Sequence, residues 1–417
     1  MEARTTEDRF AQVFMILIAL TPLISVQTPR FLAFWPLIIG LSMSIWIVFI
    51  KKEKLHISKS YFISVIAIGA LLISSSLWSI APEKSLIDGI TASIILLLGG
   101  LFIAVCKSVD IEKAKPYFWL FPISLIIATL FTIFDLYTDM VLYRIIHQTP
   151  ITDKINTSVM NRSVLCMIFA FFISLIFIKN MNATAKYKII ILTALSASIL
   201  TMMALSQSQS SQLAFALGIL LLLAFPARYK ASYYIIGALI TASLLLTPWI
   251  VQTAFQLLLD HREMAQSNSW LQNAYIGNRL EIWNFVINYA MNNPLYGYGI
   301  ESANYVPAFE HDYIYQSKAT ILHPHNFSVQ IWMEFGLIGV ILTVAIMALM
   351  IKYISKIAEL TTKKIITALF LILILSATMT YGLWQGWWLG EFIFLIGLSL
   401  AVSRLKLSNE SGHISKS

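Results

Sequence analysis

Two cysteines among 417 residues leave no material for a disulfide framework or a Cys-based metal site. Cys106 and Cys166 fall at the end of one apolar run and inside another, where they read as packing residues. Charge is scarce too. Asp, Glu, Lys and Arg make up 12% of the chain, 58% is hydrophobic and mean hydropathy is +0.76, whereas a soluble domain carries about 25% charged residues. A water-soluble globular enzyme is thereby excluded. No small-residue cleavage site follows the first apolar run, "LIALTPLISVQTPRF", so that run reads as a retained anchor and not as a removed signal peptide.

What is present is a succession of apolar runs of the length needed to cross a hydrocarbon layer of roughly 30 Å at 1.5 Å per residue. They lie at Phe10–Val26, Phe31–Ile50, Ser60–Leu77, Leu86–Cys106, Tyr117–Tyr137, Ser163–Ile178, Ile189–Leu205, Gln212–Phe225, Ser232–Val251, Phe327–Ile351, Ile365–Leu383 and Trp388–Val402. The expectation is an all-α polytopic membrane protein of about twelve spans. It divides into a nine-span region (1–251), a large external loop (252–322), a three-span region (323–403) and a tail (404–417).

Lys and Arg are retained on the cytoplasmic side of membrane proteins. With the N-terminus inside, 21 of the 29 basic residues fall on the cytoplasmic side, which predicts both termini there. The net charge of +8 is then mostly a topology signal, and no nucleic-acid partner is needed to explain it. Five of the seven histidines, His147, His261, His311, His323 and His325, lie on the opposite face, so chemistry is sought there. A loop of about 70 residues in an otherwise economical chain is usually functional.

Within that loop, "NAYIGNRLEIWNFVINYAMNNPLYGYGI" reads as an amphipathic helix ended by Asn293-Pro294, Gly297 and Gly299. Such a helix is expected on the membrane surface, with Trp283 anchored at the interface and Arg279 free to reach an anionic headgroup or phosphate. The loop ends in "HPHNFSVQIWMEFGLIG". His323-x-His325 near Glu310–Asp312 raises the question of a divalent metal, but zinc requires a tighter constellation than this spacing guarantees, and no metal is assigned.

The pattern His325-Asn326, nine residues, then Gly336-Leu337-Ile338-Gly339 resembles the signature of the O-antigen ligase and polymerase superfamily. "NRLEIWNFVINYAMNNPLYGYG" is similar to that family's periplasmic-loop run, with weaker support from "LWSIAPEKSL" and from Asn161-Arg162. The resemblance implies a GT-C-like, metal-independent glycosyltransferase that works without a cofactor on the periplasmic face of the inner membrane. It would take a glycan from undecaprenyl diphosphate, as an O-antigen ligase acting on lipid A-core. A polymerase or an O-oligosaccharyltransferase of the same superfamily is the alternative. A lipid-linked glycan transporter fits less well, because no internal repeat is evident and the unpaired charges cluster at one surface.

Such a transfer needs a base for the acceptor hydroxyl and cations for the departing diphosphate. His325 is assigned as the base and Arg279 as the first diphosphate contact, both catalytic. Arg162 is second, with Lys318 and Arg144 ranked lower. Asn326 suits a helix N-cap beside the substrate, Trp283 and Gln209 line the expected binding region, and Gly336 and Gly339 read as a close-packing face. Ligases of this family usually carry an arginine where this chain has "LSQSQSSQLAF", so Gln209 offers hydrogen bonds but no charge. Glu391, inside the last span, is expected to pair with Arg162 or Arg279, orient His325 or touch the acceptor. The neighbouring "YGLWQGWWLGEF" reads as an interfacial aromatic belt.

Overall fold

The computed structural model describes residues 5–262, 276–306 and 323–405, and among them every regular element is a helix. In chain order, short 3-10 and single-turn segments aside, they begin with α1 (Thr6–Ala19), α2 (Thr21–Gln27), α3 (Trp35–Ile45), α4 (Lys59–Ser74) and α5 (Pro82–Ser108). There follow α6 (Leu120–Tyr137), α7 (Val141–His147), α8 (Asn161–Asn180), α9 (Ala185–Leu205), α10 (Gln209–Ala224), α11 (Lys230–Leu245) and α12 (Thr247–Asp260). The last four are α13 (Ile276–Ala290), α14 (Phe327–Ser355), α15 (Leu360–Ala377) and α16 (Gly386–Val402).

Eight helical segments among the described residues are long and apolar enough to cross a membrane, and the bent pair α11–α12 makes a ninth if counted as one span. Three shorter apolar helices, Trp35–Ile50, Gln209–Ala224 and Gly386–Val402, coincide with the remaining expected runs. Gln209–Ala224 and Gly386–Val402 are 16 and 17 residues long, at or below the short end of the roughly 17 to 25 residues that a spanning helix uses. The protein is a polytopic helical membrane protein.

The expected run Ser232–Val251 is bent by 70° between α11 and α12. Pro248, near the start of α12, lacks the N–H that would bond the carbonyl of Leu244. That carbonyl accepts the Trp332 indole N–H at 2.8 Å instead. At the centre of the molecule lies α8, whose residues from Ser163 to Phe172 are all buried, against α2, α6, α9, α10, α15 and α16. A helix apolar all round suits either a protein interior or lipid, and here it is enclosed by the other helices.

The feature that shapes the functional end is a break inside α14. Gly336 has φ +55° and ψ −147°, which interrupts the helical ladder. The Met333 and Glu334 carbonyls accept the N–H groups of Tyr298 and Gly299 at 2.9 and 2.8 Å. The Leu337 and Ile338 N–H groups donate to the Pro294 and Leu295 carbonyls at 2.8 and 3.1 Å. Four backbone groups released by the break are thus all paired by one segment, as burial demands. A Cβ on Gly297 would stand 2.6 Å from the Glu334 backbone, and one on Gly336 would stand 2.5 Å from the Pro294 oxygen.

The expectation of a helix-packing face at Gly336 is therefore corrected: this glycine opens a helix to receive a loop. Gly339 faces Phe335 and Ile331 of its own helix. On its other side the inserted segment meets the turn after α4. Trp78 donates to the Tyr296 carbonyl at 3.0 Å, Ser85 donates to that of Ile300 at 2.6 Å, and Ile300 N–H donates to Ser75 Oγ at 3.2 Å. The helix α13 that leads into this segment is not a free surface helix, since Val286, Ile287 and Ala290 are buried and it lies against α12 and α14.

Candidate functional site

The residues His323 to Asn326 enter α14 at this end of the bundle. Asn326 Oδ1 accepts from the N–H groups of Ser328 and Val329 at 3.0 and 3.3 Å, so its carbonyl oxygen serves as the helix cap. His325 sits at φ +54°, a conformation that costs a non-glycine residue about 1–2 kcal/mol. The contacts around it hold it there. Trp283 Nε1 donates to the Pro324 carbonyl at 2.6 Å, so this tryptophan braces the histidine loop.

His325 Nδ1 lies 2.6 Å from the Thr380 carbonyl oxygen. A carbonyl can only accept, so Nδ1 carries the proton and the Nε2 lone pair of the neutral ring is left available. Burial, neighbouring His323 and the charge of Arg279 push this imidazole down to about 4, with the Thr380 carbonyl working the other way. The ring is neutral at physiological pH.

The His323 ring centroid is 4.0 Å from that of His325, edge to face. Its Nε2 lies 3.0 Å from Gln385 Nε2, and Gln385 Oε1 accepts from Trp387 Nε1 at 2.8 Å. An indole only donates, which fixes the amide with its NH2 toward His323, so His323 Nε2 accepts and Nδ1 holds the proton. Nδ1 is buried without a hydrogen-bond partner among the described residues. Burial, then the charge of Arg162, push His323 down as well.

Two guanidinium groups flank the histidines. Arg162, at the start of α8, lies 5.5 Å from the Tyr381 ring centroid and 5.7 Å from that of Trp387, and its Nε is buried without a hydrogen-bond partner among the described residues. Arg279, on the first turn of α13, is held below the ordinary guanidinium range by burial. Neither has a carboxylate within ion-pair distance among the described residues. Half-buried guanidinium groups without counter-ions are suited to bind a visiting anion.

The other predicted residues sort differently. Arg144 is buried and bound to the Asp139 carboxylate at 3.2 Å and to the Pro150 carbonyl at 2.6 Å, which makes it a loop brace. Lys318, with Glu310 and Asp312, lies outside the described residues. Glu391 is buried and forms no ion pair among the described residues; it lines a small cavity with Thr21, Ser25 and Cys166. Its expected pairing with an arginine is not found. Gln209 opens α10, where the neighbouring Ser208 and Ser211 hydroxyls bond each other at 2.7 Å and Gln212 binds the Met203 and Ser206 carbonyls. No hydrogen bond joins Gln209 to the histidines or to Arg162. Among the described residues no group of three or more His, Cys, Asp or Glu could hold a metal ion.

The loop from Thr378 to Gln385, between α15 and α16, was not among the expected site residues, yet it supplies Thr380, Tyr381 and Gln385. Only its aromatic richness marked it. Beside it opens an apolar cleft among α4, α5, α14, α15 and α16. One cavity of about 230 Å³ is lined by Phe327, Ile331, Phe335, Leu383 and Trp384. A second, of about 340 Å³, shares Ile68, Leu96 and Phe370 with it and reaches Tyr61, Lys107 and Tyr353.

Residues 192–344 match a family described as O-antigen ligase. That stretch includes Arg279, His325 and the Gly336 break, and ends before the Thr380 loop. Three similar proteins, all provisionally named as polysaccharide ligases, come from Rickettsia conorii (32% identical over 208 residues), Rickettsia felis (30% over 208) and Rickettsia typhi (27% over 225). The aligned parts cover 48%, 48% and 53% of this chain and 48%, 49% and 52% of the relatives, so the chain spans about half the length of the proteins it matches.

Proposed function

We propose that this chain, whose residues 192–344 belong to the O-antigen ligase family, is an O-antigen ligase of the inner membrane with both termini in the cytoplasm. It would transfer a glycan from undecaprenyl diphosphate to a hydroxyl of lipid A-core on the periplasmic face. The observation that carries this reading is the pairing of a neutral histidine, its Nδ1 tied to the Thr380 carbonyl, with two guanidinium groups that lack carboxylate partners among the described residues.

In this mechanism His325 Nε2 takes the proton of the acceptor hydroxyl as that oxygen forms its bond to the anomeric carbon of the donor glycan. The bond from that carbon to the diphosphate oxygen breaks, and the departing diphosphate carries the electron pair. Arg279 and Arg162 stabilise its negative charge in a site shielded from water. A single displacement of this kind inverts the anomeric configuration. The apolar cleft beside Leu383 and Trp384 suits the polyprenyl chain of the donor, since it offers a dry lining next to the charged headgroup site.

The test uses purified protein, an undecaprenyl-diphosphate glycan and a lipid A-core acceptor. Removing a general base costs about 10²–10⁴ in rate and removing a preorganised charge donor about 10²–10³. His325→Ala and Arg279→Ala should lose transfer to that extent while melting as the parent does. Parent-like rates in either variant refute its assigned role.

A further inference from the structure

We infer that Gln330 and Glu334 are positioning residues for this transfer, acting through the loop that carries Thr380 and Tyr381. The inference rests on the proposed role of His325 as base. Both side chains project from α14, one and two turns beyond the His325 entry, and both are almost fully buried. Gln330 Nε2 donates to Glu334 Oε1 at 2.8 Å. Gln330 Oε1 accepts the Leu383 N–H at 2.9 Å, and Glu334 Oε2 accepts the Trp384 indole N–H at 2.5 Å. Glu334 Oε1 also accepts the Glu301 N–H at 3.0 Å, which ties in the segment inserted at the Gly336 break.

The loop from Thr378 to Gln385 is therefore fastened at four places. Thr380 meets His325, Leu383 meets Gln330, Trp384 meets Glu334 and Gln385 meets His323. Two of these fastenings are the histidines themselves. The other two hold the loop against α14, which its own short-range bonds from the Thr378, Met379 and Gln385 N–H groups do not do. The Thr380 carbonyl selects the tautomer in which His325 Nε2 is a base, and Tyr381 is one wall of the Arg162 stack. A buried pair on one helix thus sets both the base and one of the two guanidinium groups. Glu334 and Gln330 touch no reacting atom in this arrangement.

The experiment measures kcat and the KM of donor and acceptor for Gln330→Ala, Trp384→Phe and the double variant, with His325→Ala in parallel. Trp384→Phe keeps an aromatic ring in the cleft and removes only the indole donor. Trp384→Phe removes one buried hydrogen bond and should lower kcat about tenfold, and Gln330→Ala, which removes two, should lower it at least as much, with both KM values within about twofold of the parent. The double variant should be little worse than the singles, because either loss frees the same loop. Parent-like kcat in both singles beside an inactive His325→Ala overturns the positioning role alone. An active His325→Ala overturns the base assignment beneath it. A raised KM with unchanged kcat also overturns the positioning role, since it assigns these residues to binding.

Discussion

The N–H of Gly299 donates to the carbonyl of Glu334 at 2.8 Å, so a loop strand completes the hydrogen bonding of a helix that Gly336 has opened. This bond and its three neighbours join the Asn293–Gly299 turn to the middle of α14, while Trp78 and Ser75 bond the same segment to the turn after α4. The candidate base and both arginines lie at this end of the bundle.

Gly336→Ala should be severely destabilising. Its φ of +55° with ψ −147° is close to a region open almost only to glycine, and the new Cβ would meet the Pro294 oxygen at 2.5 Å. A loss of about 2–4 kcal/mol, from backbone strain plus overpacking, is expected in detergent melting. Gly237→Ala is the control, because its Cβ would find only Ile351 Cδ1 at 3.8 Å and helix propensity favours alanine.

The pH profile should be flat where an ordinary histidine would titrate. His325 is held at about 4, so the ring remains neutral and able to accept a proton from neutral pH down to about 5. The acid limb of kcat/KM should therefore fall near pH 4 and not near 6.5. For stability the sign is the same: the unfolded chain takes up the proton below pH 6.5 while the folded one does not until about 4, so acid in that window favours unfolding. An acid limb near 6.5 would mean that His325 is not the group observed.

Arg162→Lys and Arg162→Ala separate charge from shape. Lysine keeps the cation but not the planar stack over Tyr381 and Trp387. Transfer should drop modestly in the lysine variant and by about 10² in the alanine one. Equal losses in the two would show that the planar guanidinium matters and not the charge alone.

Filling the cleft tests the site of the donor chain. Leu373→Trp should raise the KM of a long-chain donor several-fold and leave that of a short-chain analogue near the parent value, because Leu373 lines both apolar cavities away from the histidines. Equal effects on both donors would place the chain elsewhere.

Asp135→Asn should weaken the fold without touching KM. Asp135 is fully buried and accepts from Leu142 and Tyr143 N–H at 2.6 and 3.1 Å and from the Gln27 amide. An amide in its place sets a donor against donors, at a cost of about 1–3 kcal/mol. Unchanged melting would remove Asp135 from the structural framework.

The sequence by itself determined what depends on neighbours along the chain. Long apolar runs such as Lys59–Leu77 and Pro82–Ser108 became helices because hydrophobic length and backbone satisfaction are local properties. Asn326 could be read as a cap because the N–H groups it serves lie two and three residues away. His325 and Arg279 stood out because unpaired polar groups are rare in such a chain. Tertiary structure alone decided the rest. Thr380, Gln385, Gln330 and Glu334 carry no local signal, and the bonds that join the loop to α14 and the histidines span 50 to 62 residues along the chain. Gly336 and Gly339 carry the same spacing whether they face a helix or open one. Only the arrival of Pro294 to Gly299, with donors and acceptors matched to the four groups released at the break, determines which.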